Sequence, residues 1–509
     1  MPGVAALSDA AMGQPSLLVL AIVLPVTGVL LSIVAGGRYV EAIAFVVLLS
    51  GLVIAIFIFD GVWRGGRELT YVVGGWRPPL GIMLRADGLS ALMMSTMAVV
   101  ICVVGVFAHA DFNSRLEAAE TRSPFVFWIM LVAVSGAMNM IFLGGDLFTL
   151  YVALELLTFA AVPLVCLSGS AETIRAAMRY LLFALLGSIL YLGGTALLYG
   201  SHATMDFAVL SQQAHLEPAT LIAAVLMTIG LLAKTALFPL HLWLPPAHAG
   251  APAAASAILS SVVVKGSFFL VVRLWFDALP GMLTPAGAQL LGALGASAIA
   301  FGSVVALQQK RLKLLIAYST VAQIGYLFLM FPIAFNAAAT PAQSSEALTG
   351  GMLQAMSHMT AKAAMFMAAG LIYTALGHDR IADLGGTARA LPMTMLAFAI
   401  GGVCLIGLPP SGGFLAKWLL MRAAVETGQW PWVVVMLAGG LFTSGYMFIV
   451  LSRALQPSGE FLKLGAALPK YREAAALTLA LLSLLLGFVA LGPLDVLQVG
   501  SGTMMAAPG

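Results

Sequence analysis

Charged residues are scarce in this sequence. Only 9% of its 509 residues are Asp, Glu, Lys or Arg, whereas 61% are hydrophobic. Soluble domains carry about 25% charged residues, so this composition excludes an ordinary soluble protein. The formal net charge at pH 7 is only +3, which gives no reason to expect a nucleic-acid partner.

Cysteine is also scarce. The three cysteines, Cys102, Cys166 and Cys404, lie far apart in separate apolar runs and form no CxxC pair. This spacing indicates neither a disulfide framework nor a metal site, and it is typical of small buried hydrophobic residues. No basic segment precedes the first apolar run, so we interpret that run as a membrane span and not as a cleaved signal.

Long apolar segments dominate the chain. Short segments of alternating polarity are not found, which excludes a membrane barrel. At about 20 residues per crossing, we expect an all-α polytopic membrane protein with about 14 transmembrane helices. The expected spans are 16–35, 39–60, 87–110, 124–144, 146–169, 175–200, 220–240, 251–277, 285–308, 314–336, 348–376, 389–426, 430–455 and 473–492.

Proline-made breaks interrupt two of these spans. The seventh contains LLAKTALFPLHLWLPP at 231–246, and the twelfth contains GLPPSGG at 407–413. Proline cannot continue a helix, so we expect two half-helices in each of these spans. A third candidate break is MLQAMSHMTAKAAMF at 352–366, where His358 and Lys362 are one helical turn apart.

The two broken spans lie five spans apart. Because five is an odd number, the two spans cross the membrane in opposite directions. Broken helices at corresponding positions of two chain halves indicate inverted repeats around a site at mid-membrane. We therefore divide the chain into N-terminal helices 1–3 at 1–123, one five-helix repeat at 124–277, a second at 285–455, and a C-terminal helix and tail at 456–509.

The distribution of basic residues predicts an orientation. With the N-terminus outside, fourteen of the 24 Lys and Arg are assigned to the inward side, in loops or at span ends, and six to the outward side. This satisfies the positive-inside rule and places both termini on the outer face of the membrane. The remaining four basic residues all lie within spans: Lys234, Lys265, Lys362 and Lys417.

Lysines inside a membrane indicate function. A charge at the bilayer centre costs from about 3 to more than 10 kcal/mol, depending on the method. A buried lysine can release its proton near neutral pH, whereas an arginine stays charged. Glu155, the one clear mid-span carboxylate, is available to pair with Lys234. Lys265 could instead extend to the membrane surface from a span end.

Three histidines lie near these lysines in sequence. His241, His248 and His358 are in or beside the candidate breaks, and imidazole changes charge near pH 6.5, which suits a proton relay. His241 and His248 have no carboxylate between them, so we expect no metal site. The sequence has no nucleotide-binding glycine pattern and no haem-ligand histidine pair, so we expect no cofactor and no redox chemistry in this chain.

The motifs resemble those of the proton-conducting antiporter-like membrane subunits. These are shared by respiratory complex I, membrane-bound hydrogenases and Mrp-type multisubunit cation/proton antiporters. The matching stretches are GDLFTLYVALELLTFAAVPL, RAAMRYLLFALLGS, LLAKTALFPLHLWLPPAHAGAP, APAAASAILSSVVVKGSFF, KLLIAYSTVAQIGYL, SHMTAKAAMFMAAG and GLPPSGGFLAKW. One departure is WLPPAH, where the family usually has WLPDAH, so Pro246 replaces an aspartate.

The resemblance implies a proton path along the membrane midplane. In it, Glu155 and Lys234 form a charge pair, Lys265, His248, His358 and Lys362 continue the path, and Lys417 ends it. It implies fourteen helices in two inverted repeats, neighbouring membrane subunits as partners, and a location in the cell inner (plasma) membrane. Lys417 and the stretch GGWRPPLGIMLRADGLSALMM at 74–94 are most similar to the D-type subunit of Mrp cation/proton antiporters and to hydrogenase-type subunits.

Three other functions stay open from the sequence. The chain could be the proton-pumping subunit of a complex I-type NADH:quinone oxidoreductase or a hydrogenase, with the redox chemistry in other subunits. A sodium-conducting subunit would need clustered oxygens, for which the candidates are Glu155, Asp146, Ser319 and Thr320. A structural scaffold is disfavoured, because buried lysines are too costly to be kept without a role.

Overall fold

The chain folds into a bundle of helices. The computed structural model describes residues 15–113, 122–457, 465, 468–488 and 495–500. The helices are α1 Ser16–Ala35, α2 Val40–Gly65, α3 Gly88–Ala108, α4 Arg122–Leu143, α5 Leu147–Val165, α6 Ala171–His202, α7 Phe207–Gln213, α8 Pro218–Thr235, α9 Leu244–Gly250, α10 Ala253–Ala278, α11 Pro285–Leu307, α12 Leu312–Ala334, α13 Pro341–Leu376, α14 Pro392–Ile406, α15 Gly412–Glu426, α16 Trp430–Leu455 and α17 Lys470–Leu485. A single helical turn at Thr387–Ala390 precedes α14.

The helices have membrane-spanning length. Within the described ranges, twelve are long and apolar enough to cross a bilayer, while α14 is apolar but shorter. The multi-pass helical membrane fold is thus confirmed. The count of fourteen, the inverted repeats and the four domain boundaries stay predictions. The end of the fourteenth expected span and most of the C-terminal tail lie outside the described residues.

Polar side chains and prolines set where the helices begin. Asp87, Asp146 and Ser411 each accept a hydrogen bond from the backbone N–H three residues later, at 2.9, 2.8 and 3.2 Å. This satisfies one of the unpaired N–H groups at a helix start. Helices α8, α11, α13, α14 and α16 have proline in the first turn, where the missing N–H costs nothing.

A short β-hairpin interrupts the helices, and it was not predicted from the sequence. Strand β1, Leu69–Val72, pairs antiparallel with β2, Met83–Ala86, with Leu69 opposite Ala86. The backbone N–H of Gly145 donates to the carbonyl of Met83 at 3.0 Å, which fixes the hairpin against the turn between α4 and α5. The hairpin leads directly into Asp87 and the start of α3.

Helix α10 forms the centre of the bundle. All of its residues from 254 to 278 are buried, whereas α1 and α2 expose large apolar side chains such as Leu30 and Val46. Because α10 is buried on every face, its polar and charged side chains must find partners inside the protein. Two stretches of α10, Leu259–Val263 and Leu274–Ala278, are wound as π-helix, a form found mostly as short bulges at functional sites.

Two of the three expected breaks are present. Helix α8 ends at Thr235 and helical structure resumes at Leu244, and α14 ends at Ile406 before α15 begins at Gly412. Gly407, at φ 86°, takes the left-handed conformation that ends α14. The third break is wrong, because α13 runs unbroken through 352–366. His358 and Lys362 lie inside this regular helix.

Candidate functional site

The first buried lysine contacts the expected carboxylate. Lys234 Nζ lies 3.4 Å from Glu155 Oε1 and donates to Thr158 Oγ1 at 2.9 Å and to the carbonyl of Leu154 at 3.3 Å. The hydroxyl of Ser188 donates to the same Glu155 oxygen. Three helices, α5, α6 and α8, thus supply one polar cluster. A small cavity lies beside it, lined in part by Leu157, Tyr180 and Ser267.

A close helix crossing brings this cluster together. A Cβ on Gly187 of α6 would lie 2.6 Å from the carbonyl oxygen of Gly230, and a Cβ on Gly230 of α8 would lie 2.3 Å from that of Gly187. Only residues without a side chain allow two backbones to approach this closely. The crossing is one turn from Lys234, so it sets the distance from that lysine to α5 and α6.

The second lysine lies on the central helix. Lys265 is fully buried, and its Nζ donates to the carbonyl of Ser260 at 2.7 Å. Ser260 belongs to the first π-helical stretch. Lys265 Nζ is also hydrogen-bonded to Nδ1 of His358 on α13. The lysine therefore does not extend to the membrane surface, and it links α10 to α13.

The third lysine joins α13 to α12. Lys362 is fully buried, donates to the carbonyl of Ile316 at 2.9 Å, and donates to the hydroxyl of Ser319. The next residue of α12, Thr320, is 2.9 Å from Ser260 Oγ, hydroxyl to hydroxyl. The contact between the Ser260 and Thr320 hydroxyls thus places the surroundings of Lys265 next to those of Lys362.

The fourth lysine lies at the second broken helix. Lys417 Nζ donates to the carbonyls of Leu405 at 2.7 Å and Ile406 at 3.1 Å, the last two residues of α14. It also lies 4.0 Å from the centre of the Tyr326 ring. Carbonyl groups at a helix C-terminus carry partial negative charge, so they stabilise the ammonium group without a carboxylate.

Buried amides fill the space between the third and fourth lysines, and they were not predicted from the sequence. Gln323 on α12 donates to the carbonyl of Leu405 at 3.1 Å and accepts from Gln354 at 3.0 Å. Tyr446 of α16 approaches both Gln323 and Ser319. Glutamine within an apolar run was the signal that could have identified this polar link.

The predicted histidines lie in different surroundings. His248 on α9 is fully buried, its ring stacks 4.7 Å from Phe366, and neither ring nitrogen has a hydrogen-bond partner among the described residues. The charges of Lys265, Lys313 and Lys362 all act on it. His241 packs instead between Phe238 and Phe301, in the non-helical segment after α8.

The oxygens considered for sodium do not converge. Asp146 caps α5, and Glu155 is nine residues further along the same helix, which is roughly 13 Å at 1.5 Å per residue. Ser319 contacts Lys362, and Thr320 contacts Ser260. In the part of the chain that the structure describes, no group of three or more His, Cys, Asp or Glu could hold a metal ion.

Three basic residues that were assigned to the two sides of the membrane, Arg273, Lys313 and Arg472, are buried. Arg273, near the end of α10, donates to Asp87 at 2.6 Å through each of two nitrogens and to Asp277 at 2.5 Å. Burial would raise the pKa of Asp87, but the charges and hydrogen bonds of Arg273, with help from Arg85, hold it at about 2. Lys313, the second residue of α12, is also buried.

Comparison with known proteins decides the family. Residues 144–443 match the family described as NADH:quinone oxidoreductase/Mrp antiporter, TM. The chain belongs to this family. The family membership expected from the motifs is therefore confirmed.

Two curated relatives and one solved structure show how far the similarity extends. NADH-quinone oxidoreductase subunit N of Desulforudis audaxviator (strain MP104C) is 33% identical over 422 residues, 82% of this chain and 80% of that protein. The D subunit of the Na(+)/H(+) antiporter of Bacillus subtilis (strain 168) is 28% identical over 394 residues, 77% of this chain and 76% of that protein. The fold is similar to a chain in the structure of the Mrp complex from Dietzia sp. DQ12-45-1b, with a TM-score of 0.84, 24% identity and 97% coverage of both chains.

Proposed function

We propose that this family member translocates protons across a membrane as one subunit of a multisubunit complex. The observation that supports this most strongly is the row of four buried lysines, Lys234, Lys265, Lys362 and Lys417. Each donates to carbonyl, hydroxyl or imidazole groups of a neighbouring element or turn. Such a series of titratable groups, shielded from lipid, is what stepwise proton transfer requires.

Like-charge repulsion would drive the transfer along the row. In the proposed cycle, Glu155 stabilises a proton on Lys234, and separation of the pair releases that proton toward Lys265. His358 accepts and passes protons between Lys265 and Lys362. A second charge beside an already protonated lysine is disfavoured, so each arrival promotes departure at the next site. Lys417 would be the last stage.

Two kinds of multisubunit complex are candidates to contain this subunit. A cation/proton antiporter of the Mrp type is the first candidate from the sequence motifs, and Lys417 supports it. The higher identity to NADH-quinone oxidoreductase subunit N, 33% against 28% for the antiporter relative, supports a redox-driven complex instead. In both cases the partners are other membrane subunits. The chains that copurify with this one would distinguish the two: iron–sulfur subunits indicate a redox-driven pump, and only small membrane subunits indicate an antiporter.

The orientation and the domain division belong to the same proposal. We place the chain in the plasma membrane with both termini outside, and treat 124–277 and 285–455 as the inverted repeats. Proton-only transport is favoured over sodium, because the candidate oxygens for sodium lie apart. A scaffold role would require that neutralising the lysines leave transport intact.

The test is replacement of the first lysine. We expect Lys234→Ala to reduce proton uptake at least tenfold in proteoliposomes that hold the assembled complex, driven by a potassium diffusion potential and followed with an enclosed pH-sensitive dye. Lys310→Ala is the matched control, because Lys310 is an exposed lysine outside the row. If Lys234→Ala hinders assembly, Lys234→Gln preserves more of the volume. Normal transport by an assembled Lys234 variant would refute the proposal.

A further inference from the structure

Lys313 is a buried lysine that the proposed proton row does not use. It is the second residue of α12, where a loop cation would be expected, yet only 8% of it is exposed. Its Nζ donates to the carbonyl of Ala251 at 2.9 Å, in the turn between α9 and α10. The lysine side chain therefore reaches the turn between α9 and α10 and is largely shielded from solvent.

A carboxylate that solvent reaches, Asp111, is within electrostatic reach of Lys313. Asp111 follows α3, and its side chain is 36% exposed. It accepts a hydrogen bond from Arg472, at the start of α17, at 2.5 Å. Burial raises the pKa of Asp111, while the charges of Arg472 and Lys313 act in the opposite direction, so Lys313 is within electrostatic reach. A carboxyl group with a raised pKa collects protons closer to neutral pH.

His248, whose ring nitrogens make no hydrogen bond among the described residues, is also within electrostatic reach of Lys313. His248 is three residues before Ala251, and the charge of Lys313 acts on it together with those of Lys265 and Lys362. Both of its ring nitrogens lack a partner among the described residues. An imidazole needs one free nitrogen to accept a proton and a second to release one.

The remaining charged groups around Lys313 are already paired. Asp379 accepts from Arg311 at 3.0 Å and from the backbone N–H of Lys313 at 3.3 Å. Tyr373 of α13 presents its ring 5.9 Å from Lys313 Nζ. No carboxylate forms a salt bridge with the Lys313 ammonium group in the described part of the chain. Its one hydrogen-bond acceptor among the described residues is therefore the carbonyl of Ala251, and the carboxylates of Asp379 and Asp111 act on the ammonium group only at longer range.

We propose that Lys313 is the residue through which protons enter the buried row, taking them from water beside Asp111 and passing them to His248. This inference rests on the proposed function, and it adds the residue that supplies protons to the four buried lysines. In the step, the Lys313 ammonium gives one proton to the neutral imidazole, directly or through water, and the amine is then protonated from the solvent side. His248 passes the proton to Lys265 or Lys362.

The alternative role for Lys313 is a fixed cation that holds the α9–α10 turn. The two roles predict different results for Lys313→Arg. Arginine keeps the positive charge and several donors but does not release its proton in proteins, so it could replace a fixed cation but not a proton carrier. Lys313→Met removes both the charge and the donors.

The experiment compares these variants in proteoliposomes that hold the complete complex, with proton uptake driven by a potassium diffusion potential. We expect Lys313→Met and Lys313→Arg each to reduce the initial uptake rate at least tenfold. Lys310→Met, three residues away and exposed, should keep the wild-type rate. If the complex with Lys313→Met does not assemble, the uptake rate of the Lys313→Arg complex decides between the two roles.

Three outcomes would contradict the inference in distinguishable ways. Uptake restored by Lys313→Arg would assign a structural role to the cation. Normal uptake by Lys313→Met, while Lys234→Ala is inactive, would leave the row intact but place its entry elsewhere. Normal uptake by both Lys313→Met and Lys234→Ala would overturn the proposed function itself.

The pH profile provides an independent measurement. Asp111→Asn should slow uptake a few-fold, mainly at high pH, where protons are scarce and a collecting carboxyl group matters most. Asp383→Asn, at an exposed aspartate, is the control and should leave the profile unchanged. If Asp111→Asn leaves the pH dependence of proton uptake unaltered, Asp111 does not take part in proton entry.

Discussion

At the scale of single residues, charge within an apolar run identified the four lysines that the structure buries. Glu155 and Lys234 stood out because nothing else explains a charge at mid-span, and the two side chains are 3.4 Å apart. Arg273 was assigned to the outward side and Lys313 to an inward loop, so neither was expected to be buried. One partner of Arg273, Asp277, is four residues away, but the other, Asp87, is 186 residues away in sequence, and no local pattern reveals that contact.

The Asp87–Arg273 pair leads to a prediction about stability and pH. A pKa lowered from 3.8 to about 2 corresponds to about 2 kcal/mol of stabilisation. Because the folded-state pKa is the lower one, this stabilisation is complete above about pH 4 and is lost as the pH falls toward 2. Asparagine caps helices as well as aspartate does, so Asp87→Asn changes mainly the charge.

We therefore expect Asp87→Asn to unfold at a lower temperature than the wild type at pH 7, and the difference to shrink between pH 4 and pH 2. Intrinsic fluorescence during heating in detergent measures both. Asp383→Asn should stay close to wild type throughout. A difference for Asp87→Asn that does not change with pH would contradict the charge-based explanation.

At the scale of helices, proline and glycine predicted the breaks, while polar residues alone did not. Pro239 and the Pro409–Pro410 pair mark real interruptions. His358 and Lys362 suggested a third, but buried partners on α10 and α12 satisfy them inside a regular helix. The π-helical stretches of α10 have no such markers. They depend on tertiary contacts that the sequence does not display.

The glycine crossing of α6 and α8 leads to a prediction for these two helices. In Gly187→Ala the new Cβ would lie 2.6 Å from the carbonyl oxygen of Gly230 and 3.1 Å from Cγ of Lys234. The helices must move apart, so we expect a lower unfolding temperature and slower proton uptake. Thermal unfolding and the proteoliposome assay measure the two effects.

Gly193→Ala, six residues further along α6, is the matched control. A Cβ there meets no atom of the described residues within 4 Å. Alanine favours helix by roughly 0.5–1 kcal/mol over glycine, so this change should be neutral or slightly stabilising. Equal losses from the two substitutions would show that the crossing has no special role.

At the scale of the whole molecule, composition was enough to predict a multi-pass helical membrane protein, because the bilayer imposes both apolarity and length. It could not show which helix is central. The sequence of α10 contains Lys265 and Arg273 and is no more apolar than its neighbours, yet among the described candidate spans it is the most completely buried. The predicted orientation of the chain in the membrane depends only on the distribution of Lys and Arg.

That orientation is open to a direct test. In a background with the three native cysteines replaced by alanine, we introduce Arg77→Cys and Lys310→Cys, both at exposed positions. A thiol reagent that does not cross membranes should label Arg77→Cys in intact cells, and Lys310→Cys only after the cells are opened. The reverse pattern would invert the predicted topology.

The two broken helices hold their lysines by different means. The negative group facing Lys234 is a side chain that can rotate away, whereas Lys417 is held by the terminal carbonyls of α14, which are part of the backbone. The charge that faces Lys234 can therefore move without any change in the backbone, whereas the carbonyl dipoles that face Lys417 can move only together with the end of α14.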